Sequence, residues 1–165
     1  MAISLTIKDK KFKKQLNRLL KTMSVDLSKE LNIGAGVVVK DMKDRISQGK
    51  DINGSAFTKL KPSTIASKRK KGYARPDLPL VATGKMSGVF KQGGAYIKTK
   101  ATPNKQEAII SAPNSKAPYG IYHQEGGNQG WNPPQREWFG ISKEASANVM
   151  SLMKKRIEKL SARFR

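Results

Sequence analysis

The stretch SVDLSKELNIGAGVVVKDMKDRISQG, residues 24–49, holds the longest helical pattern in this chain of 165 residues. Ser24 or Asp26 can cap the start of the helix, because a short polar side chain accepts a hydrogen bond from the first turn. Gly49 stands at the other end, where glycine commonly follows the last helical residue. The apolar residues recur every three or four positions and so share one helix face; they are Leu27, Leu31, Ala35, Val38, Met42 and Ile46.

Two glycines interrupt this helical pattern. Gly34 and Gly36 each weaken the helix by about 1 kcal/mol relative to alanine. We therefore expect them to mark either a close crossing with another helix or a kink.

Two further helical stripes lie on either side of this stretch. Asp9 can cap a basic helix whose apolar positions are Phe12, Leu16, Leu19, Leu20 and Met23. A final helix is predicted from near Ser142 towards Phe164. Its apolar positions also recur at helical spacing and are expected to pack into the core; they are Ala145, Val149, Leu152, Met153, Ile157 and Leu160.

Period-two patterns predict strands in the first and third quarters of the chain. Ile3, Leu5 and Ile7 alternate with polar residues, which indicates a short opening strand. Residues 96–101 and 106–111 are predicted to form a hairpin around the turn 102–105. Residues 119–123 are predicted to add a further strand.

Residues 49–94 are predicted to form a long exposed connection. Asp51-Ile52-Asn53-Gly54 has the composition of a turn, and Phe57 and Leu60 are isolated apolar anchors. Connections of this length in a compact domain are usually functional or mobile.

A short helix is predicted inside this connection, from Ser63 to Lys71. Pro62 stands at its start, where its fixed φ suits the first helical position, and Ser63 or Thr64 is placed near the cap. Lys68-Arg69-Lys70-Lys71 is a run of four positive charges. An unpaired charge is costly to bury, so the run is expected to face solvent or a partner.

Positive charge is the dominant compositional signal. Lysine and arginine number 33 against 12 acidic residues, which gives a formal net charge of +21. The charge concentrates in residues 8–21, 59–75 and 154–165. Such a field attracts nucleic acid, an acidic protein surface or an anionic membrane, although each cluster by itself is equally well explained as the solvated face of a helix.

The sequence limits the compartment and the chemistry. The chain has no cysteine, which excludes disulfides and thiolate metal sites. No apolar run approaches the roughly 20 residues that span a bilayer, and residues 1–14 lack the pattern of a signal peptide. We therefore expect a protein that is soluble and cytoplasmic when it is made, with no membrane partner.

No catalytic motif is complete in the sequence. His123 is the single histidine, with Glu125 nearby, whereas a metal cluster needs several ligands at defined spacing. Ala82-Thr83-Gly84-Lys85 is a partial phosphate-binding loop, but Met86 follows the lysine where serine or threonine is required. We expect no enzyme activity, no catalytic residue, no cofactor and no metal site, and we interpret His123 as a structural hydrogen-bonding residue.

An ordered series of short motifs runs from Arg45 to Ser142. Its motifs are Asp51-Ile52-Asn53-Gly54, Phe57-Thr58-Lys59-Leu60-Lys61-Pro62, Leu80-Val81-Ala82-Thr83-Gly84-Lys85-Met86, Tyr119-Gly120-Ile121-Tyr122-His123-Gln124-Glu125-Gly126 and Pro134-Gln135-Arg136-Glu137-Trp138-Phe139-Gly140-Ile141-Ser142. In this order, the series resembles the phage virion morphogenesis family, the tail-completion proteins of Mu-like and related tailed phages. The motif residues, which we expect mainly to maintain the fold, are Gly54, Phe57, Leu60, Thr83, Gly84, Tyr119, His123, Gln124, Gly126, Pro134, Arg136, Phe139 and Gly140.

The resemblance implies an α+β fold, with helices packed on a small antiparallel β-sheet and a long exposed basic connection. We expect a single domain, 1–165, in four parts. These are a strand and two helices (1–48), the connection (49–94), a hairpin, strand and glycine-rich loop (95–141), and a C-terminal helix (142–165).

The resemblance also implies a structural protein of the tail or neck of the virion, present in the host cytoplasm during assembly. Its expected partners are copies of itself in a ring, of six subunits in related proteins, and other neck, tail-tube or head-connector proteins. Packaged DNA is a further candidate. The connection 59–75 and the loop 126–131 are candidate arms that become ordered on assembly.

The residues expected to contact a partner or DNA are Lys59, Lys61, Lys68, Arg69, Lys70, Lys71, Arg75 and Trp131. Two other functions compete with the structural role. A nucleic-acid-binding protein would use the basic clusters, with Phe12, Tyr73 and Phe164 as the few aromatic residues among them for base stacking. A small hydrolase would need a nucleophile and a base at a suitable spacing, and the sequence shows no such pair.

Overall fold

A computed structural model describes residues 2–4, 14, 26–82, 96–102, 105–112, 119–127 and 132–162. These residues mix helices with fewer strands, as an α+β protein does. The helices are α1 (Ser28–Gln48), α2 (Pro62–Lys70), α3 (Gly120–Glu125) and α4 (Lys143–Ala162), and the strands are β1 (Ala2–Ser4), β2 (Tyr96–Thr102) and β3 (Lys105–Ser111).

Helix α1 forms as its apolar stripe predicts. The predicted cap is wrong for Asp26, because Leu27 occupies the cap position and no side chain caps the helix; Ser24 lies outside the described residues. Asp26 stands one residue earlier, where its side chain accepts a hydrogen bond from the amide of Ser28 at 2.8 Å. Gly49 adopts a φ of 70° just past the helix end, a conformation that glycine reaches at little cost. Met42 and Ile46 are fully buried, and five of the six predicted stripe positions lie in the core; Leu31 packs at its edge.

Helix α4 packs against α1, and the two glycines of α1 behave differently at this crossing. A Cβ on Gly34 would lie 3.2 Å from Cγ1 of Val149 on α4, whereas a Cβ on Gly36 would meet nothing within 4 Å. The close-crossing alternative therefore holds for Gly34. Gly36 is exposed.

Ser142 caps the start of α4 and ties it to α1. Its hydroxyl oxygen accepts a hydrogen bond from the amide of Ala145 at 3.0 Å. The same hydroxyl donates to Oδ1 of Asp41 at 3.0 Å. The last helix thus begins where the sequence predicts, and its first turn is fixed to the middle of α1.

The described strands lie in the order β1-β3-β2, and both neighbouring pairs are antiparallel. The hairpin strands pair from Tyr96 with Ser111 to Thr102 with Lys105. Ile110 on the central strand is buried, and α1 contacts both β2 and β3. The sheet therefore closes one side of the helical core.

One predicted strand is wrong. Residues 119–123 do not extend the sheet, because Gly120–Glu125 forms the short helix α3. The amide of His123 bonds to the carbonyl of Tyr119 within this turn. The alternating side chains suggested a strand, but backbone groups satisfied inside a helix need no neighbouring strand.

The connection is more structured than the sequence predicted. Its short helix is present as α2, with Pro62 at its first position, but Lys61 rather than Ser63 or Thr64 occupies the cap. Lys50 forms an isolated bridge with Ala56, and Phe57 is buried. The helix predicted at residues 12–23 lies outside the described residues, apart from Lys14, which is helical.

Candidate functional site

Arg136 joins the start of the connection to the segment before α4. The side chain is 4% exposed. Its Nε and Nη2 atoms donate to the carbonyl oxygen of Thr58 at 3.2 and 2.9 Å. Nη1 lies 3.5 Å from the carbonyl oxygen of Pro134, and burial lowers the pKa of the guanidinium. A planar fork with several donors suits this geometry, which a lysine could not reproduce.

The segment that follows Arg136 is fixed to α3 by two further hydrogen bonds. The indole Nε1 of Trp138, which is fully buried, donates to the carbonyl of Gly120 at 2.9 Å. The amide of Phe139 donates to Oε1 of Gln124 at 2.9 Å. Side-chain groups of two sequence motifs therefore bond the backbone of one another, across 15 to 18 residues.

A buried ion pair, which was not among the predicted site residues, completes this junction. Arg45 donates from Nε to Oδ2 of Asp41 at 2.9 Å and from Nη2 to the carbonyl of Gly140 at 3.0 Å. Gly140 itself packs so closely on Ile52 that a Cβ there would overlap the Ile52 side chain. The spacing of four between Asp41 and Arg45 was the available signal.

The remaining motif residues occupy turns, half-buried positions or undescribed segments. Gly54 and Gly126 adopt φ values of 86° and 81°, which favour glycine. Leu60 and Tyr119 are half-buried, and Pro134 is exposed. Thr83, Gly84 and the candidate contact Trp131 lie outside the described residues.

His123 lies half-buried beside Arg136. Burial and, to a lesser extent, the positive charge of Arg136 lower the pKa of the imidazole from 6.5 to about 4. The ring is therefore neutral near pH 7. Within the described residues, no group of three or more acidic, histidine or cysteine side chains could hold a metal ion.

The exposed cations of the connection form the second feature of the molecule. We call this surface the α2 platform, and it lies on α2 and the loops beside it. Its members are Lys59, Lys61, Arg69, Lys70, Lys71 and Arg75, all exposed.

The prediction that Lys68 contacts a partner or DNA is wrong. It was predicted to face solvent or a partner with the other charges of its run, but it is 7% exposed. Its ammonium donates to the carbonyl of Leu78 at 2.6 Å, and the carbonyl of Arg75 lies 3.4 Å away. Burial lowers the pKa of this lysine, while the nearby charge of Asp77 opposes that effect. Carbonyl oxygens replace the water that the ammonium loses, which a count of charges does not reveal.

Several acidic residues form hydrogen bonds or ion pairs with residues outside the α2 platform. At least four of the twelve form such contacts; they are Glu30 with Arg156, Asp41 with Arg45, Asp44 with Lys40, and Asp51 with the amides of Asn53 and Ser55. None of the described ion pairs involves the α2 platform. The nearest acid in the chain is Asp77, which is exposed and whose charge acts on Lys68.

A cleft of about 460 Å³ opens between α1, the turn at residues 50–54 and the start of α4. Two of its acids are already paired with neighbouring bases, Asp41 with Arg45 and Asp44 with Lys40. A third acid, Glu144, also lines the cleft. None of the helices in the described ranges combines the length and apolar character needed to cross a bilayer.

The comparison with known families gives one match. A sequence model of the phage virion morphogenesis family matches residues 7–158, which is most of the chain. No curated protein and no solved structure matches the chain significantly.

Proposed function

Because the chain belongs to the phage virion morphogenesis family, we propose that it is a structural virion protein that acts in tail completion and head-to-tail joining. Family membership supports a role in the structure or assembly of a phage virion, and hence an association with the virion. The family match is the observation that carries this proposal.

The junction around Arg136 is consistent with a scaffold. Arg136, Trp138 and Phe139 are buried. The side chains of Arg136 and Trp138 donate to backbone carbonyls of distant segments, and the amide of Phe139 donates to the side-chain oxygen of Gln124. The hydrogen-bonding groups of these residues are used in contacts within the protein. This supports a protein that acts through its surface and carries no catalytic activity.

We further propose that the protein works as a ring, of six subunits in the arrangement that the family resemblance suggests. Six copies at +21 each would carry a charge of +126. Like charges at this density repel one another. Closure of the ring therefore requires counter-charge. In the virion, acidic faces of neck, tail-tube or head-connector proteins or DNA would supply it, and in the purified protein salt ions would take their place.

Two measurements test the proposal, one on the purified protein and one on virions of the phage that encodes it. Light scattering of the purified protein at low and high salt should detect a discrete ring-sized species, more stable at high salt, where repulsion is screened. Gold-labelled antibody should mark the head-proximal end of the tail in electron micrographs. A protein that remains monomeric in all salt conditions and is missing from purified virions would contradict the proposal.

A further inference from the structure

We infer that the α2 platform binds the phosphate backbone of double-stranded DNA, without reading its sequence. The inference deepens the proposed function, on which it rests for its setting, by naming one partner of this surface. It is carried by three features of the platform: its charge, its fixed geometry and the residue types around it.

The charge of the platform is of one sign. Residues 59–75 contain seven lysines and arginines and no acidic residue. Lys68 is buried by its own carbonyl partners, and the other six cations are exposed. A duplex carries one negative charge per about 1.7 Å of axis, so a cluster of this size can neutralise several phosphates at once.

The geometry of the platform is held by hydrogen bonds. The Lys68 ammonium draws the loop at Leu78 back onto α2. The guanidinium of Arg75 donates from Nη1 to the carbonyl of Ser47, at the end of α1, at 3.0 Å. The amide of Gly72 bonds to the carbonyl of Arg69 at 2.9 Å and closes the helix end. The loop that carries Lys71 and Arg75 is thereby pre-positioned beside α2, which lowers the entropy lost on binding.

The residue types favour a phosphate backbone over an acidic protein. Stable protein interfaces place aromatic or other apolar anchors at their centre, where lysine is depleted. Within the described residues, the large apolar side chains that are most exposed are Ile33 and Tyr122, and neither lies on the platform. The exposed neighbours of the cations include three hydroxyls, Ser63, Thr64 and Ser67, a group that contacts phosphate oxygens in DNA complexes. Small residues such as Ala66 and Ala74 and one acid, Asp77, are exposed beside them.

Duplex DNA fits better than a single strand or a second copy of the chain. Proteins that bind single strands stack bases on aromatic rings, but Tyr73 is the only aromatic residue in this segment and is half-buried. A second copy would bring another charge of +21 to the same surface.

The test compares two variants with the same loss of charge. The platform variant carries Arg69→Gln, Lys70→Gln and Lys71→Gln. The control carries Lys154→Gln, Lys155→Gln and Lys159→Gln, which are exposed on the C-terminal half of α4. Fluorescence anisotropy measures the affinity of the full chain for a labelled 24-base-pair duplex of mixed sequence between 50 and 200 mM NaCl.

If six phosphates are contacted, the logarithm of the association constant falls with the logarithm of salt at a slope of about −5. The platform variant should reduce the magnitude of this slope by about 2 to 3 and weaken binding at least tenfold at 100 mM salt. The control should change the slope by less than about 1. Equal losses in both variants, or no duplex binding by the wild type, would overturn the inference.

Measuring head-to-tail joining beside duplex affinity separates this inference from the proposed function. If the wild-type protein joins heads to tails but has no measurable affinity for the duplex, DNA binding is refuted and the structural role stands. If the wild-type protein binds the duplex through the platform but heads join tails without it, only the structural role is refuted. A platform variant that binds duplex normally but no longer binds tails would assign the surface to an acidic protein and overturn the inference.

Discussion

Two N–H groups of the Arg136 guanidinium hold the carbonyl oxygen of Thr58, although 78 residues separate the two positions in the sequence. The contact fixes the start of the long connection to the segment that leads into α4. It joins two segments of the motif series whose contact the sequence does not indicate. The fold therefore depends on a buried charged side chain whose partners are backbone oxygens rather than a carboxylate.

Arg136→Lys should destabilise the protein although it keeps the charge. A lysine cannot form the paired contact, and the Thr58 carbonyl loses its donors in a buried site. We expect the free energy of unfolding to fall by about 2 kcal/mol in urea titrations. Arg69→Lys, at an exposed position, should change it by less than about 0.5 kcal/mol. Equal stabilities of the two variants would show that the Arg136 fork is not needed.

The two glycines of α1 give a matched pair of substitutions. Gly36→Ala should raise the free energy of unfolding by about 0.5–1 kcal/mol, because alanine favours the helix and the site is open. Gly34→Ala should lack this gain or destabilise the protein, because its Cβ crowds Val149 at 3.2 Å. Thermal unfolding of both variants measures the difference. An equal gain from both would argue against a close crossing of α1 and α4.

Lys68 and Lys70 have the same side chain and opposite expected roles. Lys68→Met should lower the free energy of unfolding by about 1–3 kcal/mol, because the Leu78 carbonyl loses its 2.6 Å hydrogen bond. Lys70→Met removes an exposed charge and should stay within about 0.5 kcal/mol of the wild type. If chemical denaturation shows Lys70→Met to be the more damaging change, the structural assignment of Lys68 is wrong.

His123 should make the protein less stable in mild acid. Its pKa is about 4 in the folded chain and 6.5 in the reference state, so the unfolded chain binds more protons between these values. The free energy of unfolding should therefore fall as pH decreases from about 6.5 to about 4. His123→Gln removes this term, and the stability difference between wild type and variant should change across that window. A constant difference from pH 7 to pH 4 would contradict the assignment.

The sequence predicted the elements whose periodicity extends over many residues. The stripe from Leu27 to Ile46, the glycine cap at residue 49 and the start of α4 at Ser142 depend on local rules that a single segment contains. The pairing of residues 96–101 with residues 106–111 is similarly local, because a short turn sets the register.

The failures arose where distant contacts override local patterns. Residues 119–123 alternate like a strand, yet Gly120 and Gln124 receive bonds from Trp138 and Phe139 in a helical turn. The role of Lys68 depends on carbonyls seven and ten residues away that only the folded loop brings near. The pair of Asp41 and Arg45 was visible as a spacing, but its burial against Gly140 was not. The amino-acid composition gives the number of charged side chains but does not show which groups they bond in the folded protein.

In the proposed function, this protein completes tails so that they join heads. The most direct measurement is electron microscopy of particles made by the phage with this gene inactivated. We predict separate DNA-filled heads and unjoined tails, and joined, infectious particles when the purified protein is added to the extract. Joined and infectious particles made without the protein would show that it is not needed to join heads to tails.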